Sequence, residues 1–177
     1  GLGQSRTFFD RIAGRFGKQA EARKALSGAV TAVRRDIASF RKKYGTRRLA
    51  YALRMGSYYE ADRLAYGGLG DLAFFSELGF RPMLLVQGAQ DAGSRAFHAD
   101  QLRRLGQRGP FLMFPDPFLL LQLLRKNKFD LAYFSRNAFR DDERIDVPFV
   151  ETRSLKPFLQ GARVNIERVR RALEGKG

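Results

Sequence analysis

The feature that most constrains the fold is the stretch 116–152, where a helical pattern leads into two short apolar runs. DPFLLLQLLRKN has helical apolar spacing, with Asp116 placed as the N-cap and Pro117 in the first turn, where proline is tolerated. FDLAYFS is an almost unbroken apolar run, typical of a strand buried on both faces. VPFVET resembles a further strand, with Pro148 near its start. A helix, a buried strand, a crossover and another buried strand predict a parallel α/β sheet.

The rest of the chain extends this unit to five strands. We predict strands near residues 49–55, 82–87, 110–114, 129–135 and 147–151, with helices between most of them, including 71–78 and 94–105. A final amphipathic helix is predicted with the inward side chains Val164, Ile166, Val169 and Leu173. The predicted fold class is therefore α/β: a doubly wound, mainly parallel five-stranded Rossmann-like sheet with an N-terminal helical extension.

The N-terminal extension consists of two predicted helices. The first has the apolar stripe Phe8, Phe9, Ile12 and Phe16. The second runs from about Ala20 to Tyr44, with apolar residues every three or four positions. We predict a division of the chain into a basic amphipathic helical segment over 1–45 and a Rossmann-like α/β domain over 46–177.

The net charge of +15 is concentrated at the N-terminal end. Residues 1–48 hold 13 Lys and Arg against 3 Asp and Glu, a surplus of 10, whereas residues 49–177 hold 20 against 15, a surplus of 5. A basic helix of this kind could bind nucleic acid or an anionic surface. We favour a solvated helix face, or a face that meets an acidic neighbour, because no recognised nucleic-acid motif accompanies the charge.

Composition narrows the classes of protein further. The chain has no cysteine, which excludes disulfides and thiolate-held metal centres within it, and its single histidine, His98, argues against a histidine-based metal site. No apolar run approaches the roughly 18 residues of a membrane span, and no secretory signal is evident. We therefore expect a cytoplasmic protein. Because it begins with Gly1 and ends abruptly in EGKG, we also expect a piece of a longer chain.

Candidate binding residues follow from the predicted sheet. In an open parallel sheet, ligands bind beyond the carboxyl ends of the strands, near the point where the strand order reverses. This rule selects four turns: Gly56-Ser57-Tyr58, Gln87-Gly88-Ala89-Gln90-Asp91, Ser135-Arg136-Asn137 and Thr152-Arg153-Ser154. Ser57 could present backbone N–H groups to an anion, or be an ordinary N-cap. Arg136 and Arg153 could hold a carboxylate or phosphate bidentately, or simply face solvent. The predicted ligand-binding residues are Ser57, Gln87, Arg136 and Arg153.

No catalytic residue or metal ligand is predicted. Neither GxGxxG nor GxxxxGK[ST] follows an early strand, so a dinucleotide or ATP site has no sequence support. The chain has one acidic cluster, formed by Asp141, Asp142, Glu143 and Asp146. Acid pairs can bind hard cations or transfer protons, but the interleaved Arg140 and Arg144 favour an exposed, salt-bridged crossover. We interpret His98 as a surface or packing histidine.

The order of these parts resembles the C-terminal end of nitrogenase component 1-type oxidoreductase subunits. Lys128-Phe129-Asp130-Leu131-Ala132 is similar to that family's K-P-D-L-(V/I) strand, and Asp146-Val147-Pro148-Phe149-Val150 to its G-(I/V)-P-F strand. Pro157-Phe158-Leu159-Gln160-Gly161 is similar to the segment before its final helix. The resemblance covers about residues 20–173. It identifies the chain as a divergent relative of the last of three Rossmann-like domains in such a subunit.

The resemblance implies a domain of a nitrogenase-like multi-subunit reductase that shapes a substrate or cofactor pocket and a subunit interface. The implied partners are the rest of its own subunit, a homologous partner subunit and an ATP-dependent iron–sulfur reductase. The family's bridging-cluster cysteines belong to the first domain, so an iron–sulfur or metal cluster is implied only for the full complex. The chain alone would bind no cofactor and be inactive.

The chain also departs from the family pattern. The catalytic nitrogenase subunit has a cofactor-ligating histidine shortly after its last strand, where this chain has Thr152, Arg153 and Ser154, so that site is not carried over. The segment Tyr58–Phe80 is also longer than is usual in the family. Two alternatives stay open: a stand-alone α/β domain that binds a small anionic ligand, and, less favoured, a nucleic-acid-binding adaptor that uses the basic helix.

Overall fold

The computed structural model describes residues 19–53, 70–104, 106–134, 145–151, 155–156 and 158–175. In chain order these form α1 (Gln19–Tyr44), β1 (Arg47–Leu53), α2 (Gly70–Glu77), β2 (Phe80–Gln87), α3 (Ala92–Arg104), β3 (Phe111–Phe114), α4 (Pro117–Asn127), β4 (Leu131–Phe134), β5 (Phe149–Glu151) and α5 (Phe158–Leu173). Each of the five predicted strands is present, with both ends within two residues of the prediction.

The five strands form one parallel sheet in the order β3-β2-β1-β4-β5. The chain builds outward from β1 through β2 to β3, then returns to the other side of β1 and continues outward through β4 to β5. The predicted doubly wound sheet with an N-terminal helix is therefore confirmed. Because the direction of winding reverses between β1 and β4, this pair of strands is the switch point of the sheet.

The two faces of the sheet are built from different side chains. On β1, Leu49, Tyr51 and Leu53 belong to a core cluster that includes residues of α1, α2, α3 and α5. The intervening Ala50 and Ala52 belong to a second cluster, into which α4 packs. This alternation is the expected two-residue period of a strand. The second face of β1 thus presents small alanines, while the first presents the larger leucine and tyrosine side chains.

Helix α1 follows the prediction closely and contributes Val33 and Phe40 to the buried core. It lies beside α5 and runs parallel to it, because Asp36 contacts Arg163 near the start of α5 at 2.6 Å and Lys43 contacts Glu174, just after the end of α5, at 2.8 Å. The other predicted N-terminal helix, with Phe8, Phe9, Ile12 and Phe16, lies outside the described residues. The division of the chain at residue 45 stays a prediction.

The N-terminus of α4 agrees with its predicted capping residues, and that of α3 lies within two residues of the prediction. Asp116 caps α4 as predicted, accepting a hydrogen bond from the Leu119 backbone N–H at 2.9 Å, and Pro117 is the first helical residue. Helix α3 begins at Ala92, two residues before the predicted start at Ser94. Its cap is Asp91, whose carboxylate accepts from the Ser94 N–H at 2.8 Å.

The terminal helix corrects two expectations. Ile166 and Val169 are buried as expected, but Val164 is 43% exposed, so its prediction as an inward residue is wrong. Two residues along an α-helix turn the side chain by about 200°, which places position 164 almost opposite position 166. The helix also begins at Phe158, so Gly161 lies inside α5 and not before it.

Candidate functional site

The candidate site is the carboxyl edge of the sheet at the switch point, where β1 ends at Leu53 and β4 at Phe134. The predicted binding residues Ser57, Arg136 and Arg153 belong to the segments that follow β1, β4 and β5, and these segments lie outside the described residues. Gln87 is the one predicted site residue that the structure describes.

A stacked pair of tyrosines lies immediately below this edge. Tyr51 of β1 and Tyr133 of β4 are register partners, with ring centroids 4.8 Å apart and ring planes 30° apart. Phe75 of α2 packs edge-on against both rings. The two tyrosines are almost fully buried, at 0% and 1% exposure. They are large polar-tipped side chains at the centre of an otherwise apolar core face.

Asp71, in the first turn of α2, completes this group by accepting a hydrogen bond from the Tyr133 hydroxyl. Burial raises the pKa of Asp71 above its ordinary value, although the hydrogen bond from Tyr133 acts in the opposite direction. Burial, together with the neighbouring Asp71, also raises the pKa of Tyr51 and Tyr133, which keeps both phenols protonated at ordinary pH. We call Tyr51, Tyr133 and Asp71 the Tyr–Tyr–Asp cluster.

Sequence reasoning missed the Tyr–Tyr–Asp cluster, although a signal was present. Leu-Ala-Tyr occurs in both strands, and the structure aligns Leu49-Ala50-Tyr51 with Leu131-Ala132-Tyr133 residue by residue. A tripeptide repeated in two predicted buried strands indicates that their side chains form matching rows if the strands are neighbours. The adjacency of β1 and β4 is the piece of information that the repeat alone does not supply.

Gln87 ends β2, one strand from β1, and lies opposite Phe114 of β3. Its neighbour Val86 belongs to the same core cluster as Tyr51, so strand alternation places Gln87 on the α4 face, away from the tyrosines. The structure therefore does not bring Gln87 together with the Tyr–Tyr–Asp cluster. Its role as a ligand-binding residue stays a prediction.

The turn after β2 is tied to β3 by hydrogen bonds. The Gly88 N–H donates to the Phe114 carbonyl at 2.9 Å, and the Gln90 side-chain amide donates to the Met113 carbonyl at 3.1 Å. His98 of α3 is buried beneath this turn, and a Cβ at position 88 would lie 2.5 Å from its Nε2. Burial lowers the pKa of His98. These contacts fit the packing interpretation of this histidine.

The turn between β5 and α5 is held by Asn165, which is 5% exposed. Its side-chain oxygen accepts from the Lys156 N–H and its side-chain amide donates to the Lys156 carbonyl, each at 2.8 Å. Gly161 permits this close approach, because a Cβ there would lie 2.6 Å from the Lys156 carbonyl oxygen. The chain directly after 152–154, the segment that includes Arg153, is thus fixed to α5.

Asp130, in the motif that resembles the family's K-P-D-L strand, lies at the opposite edge of the sheet. Its carboxylate accepts from the Arg48 N–H at 2.7 Å and from Arg47 Nη1 at 3.3 Å, and its own N–H donates to the Arg48 carbonyl at 3.0 Å. Asp130 therefore joins the amino ends of β1 and β4. In this chain it has a structural role that keeps the two switch-point strands in register.

The acidic cluster is described only at Asp146, an exposed residue whose carboxylate lies 3.5 Å from Arg125 Nε. This contact agrees with the salt-bridged interpretation; Asp141, Asp142 and Glu143 lie outside the described residues. Across the described ranges, no three His, Asp or Glu side chains are grouped as a metal site would require. Among the helices that the structure describes, none has the length and apolar character needed to cross a membrane.

No protein-family model matches the chain, and no curated protein matches it. Among solved structures, the chain is similar to one described as "Nitrogenase Cp1 at pH 6.5", with a TM-score of 0.45 and 16% sequence identity. The match covers 90% of this chain and 38% of that one, so this chain spans well under half of the length of the solved chain.

Proposed function

We propose that the chain is a domain of a nitrogenase-like multi-subunit reductase, in which it forms one wall of a substrate or cofactor pocket. The observation that carries the location of the pocket is the Tyr–Tyr–Asp cluster, which lies directly below the switch point of the sheet. Ligands of doubly wound sheets bind in the crevice above that point. The kind of complex is taken from the sequence resemblance over residues 20–173.

Asp71, the half-buried member of the Tyr–Tyr–Asp cluster, would supply a directional hydrogen bond to a polar ligand, and the buried Tyr133 hydroxyl would hold its carboxyl group in place. Burial raises the pKa of Asp71, and the low polarity around the cluster strengthens the hydrogen bond from the Tyr133 hydroxyl to its carboxyl group. Ser57, Arg136 and Arg153 would add an N–H or hydroxyl donor and two cations to the same pocket. Such a set suits a ligand with carboxylate or phosphate groups.

The redox centre would come from the partners and not from this chain. The proposed partners are the rest of its own subunit, a homologous partner subunit and an ATP-dependent iron–sulfur reductase, all in the cytoplasm. Their contacts would use the helices on the outside of the sheet. The absence of cysteine from the sequence agrees with a cluster held elsewhere in the assembly.

The first experiment concerns the gene and its product. The reading frame upstream of Gly1 should continue into a segment with spaced cysteines, and the affinity-tagged native product should co-purify with an iron-containing partner. A frame that begins at Gly1, together with a product that purifies alone and free of iron, would remove the proposal. Iron is measured by elemental analysis and the partner by mass spectrometry.

The second experiment tests the pocket within the purified native assembly. Native mass spectrometry should detect a bound non-protein ligand that is lost in Tyr133→Phe. Tyr44→Phe is the matched control, because the Tyr44 hydroxyl also donates to a carboxylate, Glu174 at 2.6 Å, but belongs to α1 at the far edge of the sheet. Retention of the ligand in both variants would rule out the Tyr–Tyr–Asp cluster as part of the pocket.

A further inference from the structure

A groove of about 460 Å³ lies on the outer side of α5, in the helix layer and not at the carboxyl edge of the sheet. Its described lining consists of Arg163, Val164, Glu167, Arg168 and Arg171. Arg163 and Arg171 are each about two-thirds exposed at 66% and 65%, and Val164 presents an apolar surface between them. The groove is therefore an accessible, mainly cationic surface with an apolar centre.

The acidic side chains near the groove, Glu167 and Asp36, are paired with arginines that include two from the groove itself. Glu167 contacts Arg170 at 2.8 Å and Arg171 at 3.4 Å. Asp36 of α1 contacts Arg163 at 2.6 Å. Within the described residues, Arg163 is thus paired with Asp36 and Arg171 with Glu167, which leaves Arg168 as the lining guanidinium without a carboxylate contact. The local field favours an anion.

The side chain of Arg168 provides the observation that points to a ligand in this groove. Its Nη1 is buried and has no hydrogen-bond partner in the part of the chain that the structure describes. A buried donor without an acceptor is unfavourable, and buried polar groups in folded proteins are normally paired. The guanidinium group is a planar donor whose geometry matches phosphate and carboxylate oxygens. Because Nη1 itself is shielded, a ligand oxygen would meet the part of the Arg168 side chain that lines the groove, and a rotation of the guanidinium group would bring Nη1 to the same oxygen.

We propose that the groove binds a small phosphate-bearing ligand, with Arg168 as the central donor and Arg171 as a second contact. Val164 would contact the apolar part of the ligand, which accounts for an exposed valine among arginines. The volume lies within the usual range of small-molecule pockets, roughly 300–1,000 Å³. Residues 163 to 171 span about 12 Å of helix, which suits one compact ligand better than the extended track that a nucleic acid strand requires.

This site is independent of the proposed pocket at the switch point, and its test uses the chain as it stands. Pyrophosphate is titrated into the purified protein by isothermal calorimetry, and the same titration is repeated with Arg168→Gln. Arg104→Gln is the matched control: it removes the same charge from an arginine of α3 that is 71% exposed and already paired with Asp100 at 2.8 Å. We expect binding to weaken by about tenfold or more in Arg168→Gln and by less than about twofold in the control.

Three outcomes would overturn the proposal. If pyrophosphate does not bind the unaltered chain, the site does not exist. If binding weakens equally in Arg168→Gln and Arg104→Gln, the effect is one of net charge and not of this groove. A short single-stranded oligonucleotide that competes with pyrophosphate, with the same dependence on Arg168, would assign the surface to nucleic acid instead. Arg171→Gln provides a second test if Arg168→Gln does not fold, because the Arg171 side chain is largely exposed. An unchanged far-ultraviolet circular dichroism spectrum of each variant serves as the folding control.

Discussion

His98 is the only histidine of the chain, so its titration can be observed without interference. Burial lowers its pKa below the ordinary value of 6.5, because the charged ring is less well solvated beneath the Gly88 turn than in water. The unfolded chain therefore takes up a proton near that pH while the folded chain does not. Stability due to this group is complete above pH 6.5 and is lost as the pH falls from that unfolded value through the lower folded pKa.

We expect the imidazole signals in a proton NMR titration to give a pKa below 6.5. Urea unfolding should show lower stability at about pH 5.5 than at about pH 7.5. In His98→Gln, which does not titrate, this difference should shrink. An imidazole pKa at or above the ordinary value would contradict the buried packing of the ring.

The pH dependence of stability due to Asp71 has the opposite sign to that due to His98. Its pKa in the folded chain is raised mainly by burial, so its contribution to stability is fully present below the unfolded value near 3.8 and is lost as the pH rises through the folded pKa. Asp71→Asn keeps an acceptor for the Tyr133 hydroxyl without the buried charge. The melting temperature of this variant relative to the unaltered chain should therefore rise between about pH 4 and about pH 7.

Asp71→Ala separates the hydrogen bond from the charge. It leaves the Tyr133 hydroxyl buried without this acceptor, and we expect it to be less stable than Asp71→Asn by about 1–3 kcal/mol at neutral pH. Chemical denaturation followed by circular dichroism measures the difference. Equal stability of the two variants would mean that the hydrogen bond makes no net contribution to folding.

At the scale of elements, α1 contains a glycine that packing does not require. Gly28 lies in the interior of the helix, and a Cβ there would meet nothing within 4 Å in the described part of the chain. Gly28→Ala should stabilise the protein by about 0.5–1 kcal/mol, since alanine loses less backbone freedom on folding. Gly45, just after the helix, has equally open surroundings but a φ of 64°. Gly45→Ala should destabilise the protein, because alanine rarely adopts a positive φ. Comparing the melting temperatures of the two variants tests whether backbone conformation or free space determines the effect of adding a Cβ.

An element is predictable from the sequence when the residues that determine it are close together in the chain. The strands were found because continuous apolar runs are typical of strands buried on both faces, and α4 was found because Asp116 and Pro117 mark a helix start. Val164 was placed wrongly because a short apolar pattern fits more than one helix face, and only the packing of α5 against the sheet selects the face. The family resemblance placed Gly161 before the final helix, whereas in this chain the helix begins three residues earlier, at Phe158.

The candidate site was less predictable for a physical reason. Turns at strand ends can be selected by a rule about parallel sheets, but the Tyr–Tyr–Asp cluster depends on two strands 82 residues apart in sequence becoming neighbours in register. Each tyrosine lies inside a predicted strand, and nothing local to either strand distinguishes it from its apolar neighbours. Asn165 was missed in a similar way, because its partner is the backbone of Lys156 and backbone groups leave no trace in the sequence.

For the whole molecule, the net charge of +15 gives a prediction about salt. The described ion pairs are mostly solvent-exposed, and such pairs contribute little, whereas repulsion among the surplus cations opposes the compact state. Sodium chloride up to about 0.5 M should therefore raise the melting temperature by screening that repulsion. Potassium chloride at the same ionic strength should have the same effect. A melting temperature that falls with salt would instead show that the ion pairs outweigh the repulsion.

The stacked tyrosines also have an optical consequence. The chain contains six tyrosines and no tryptophan, so tyrosine emission is not transferred to an indole. Tyr51 and Tyr133, held 4.8 Å apart in a rigid apolar setting, should couple electronically and give a strong near-ultraviolet dichroic band. The near-ultraviolet circular dichroism of the unlabelled protein would thus report whether β1 and β4, which join the two halves of the sheet, are correctly paired.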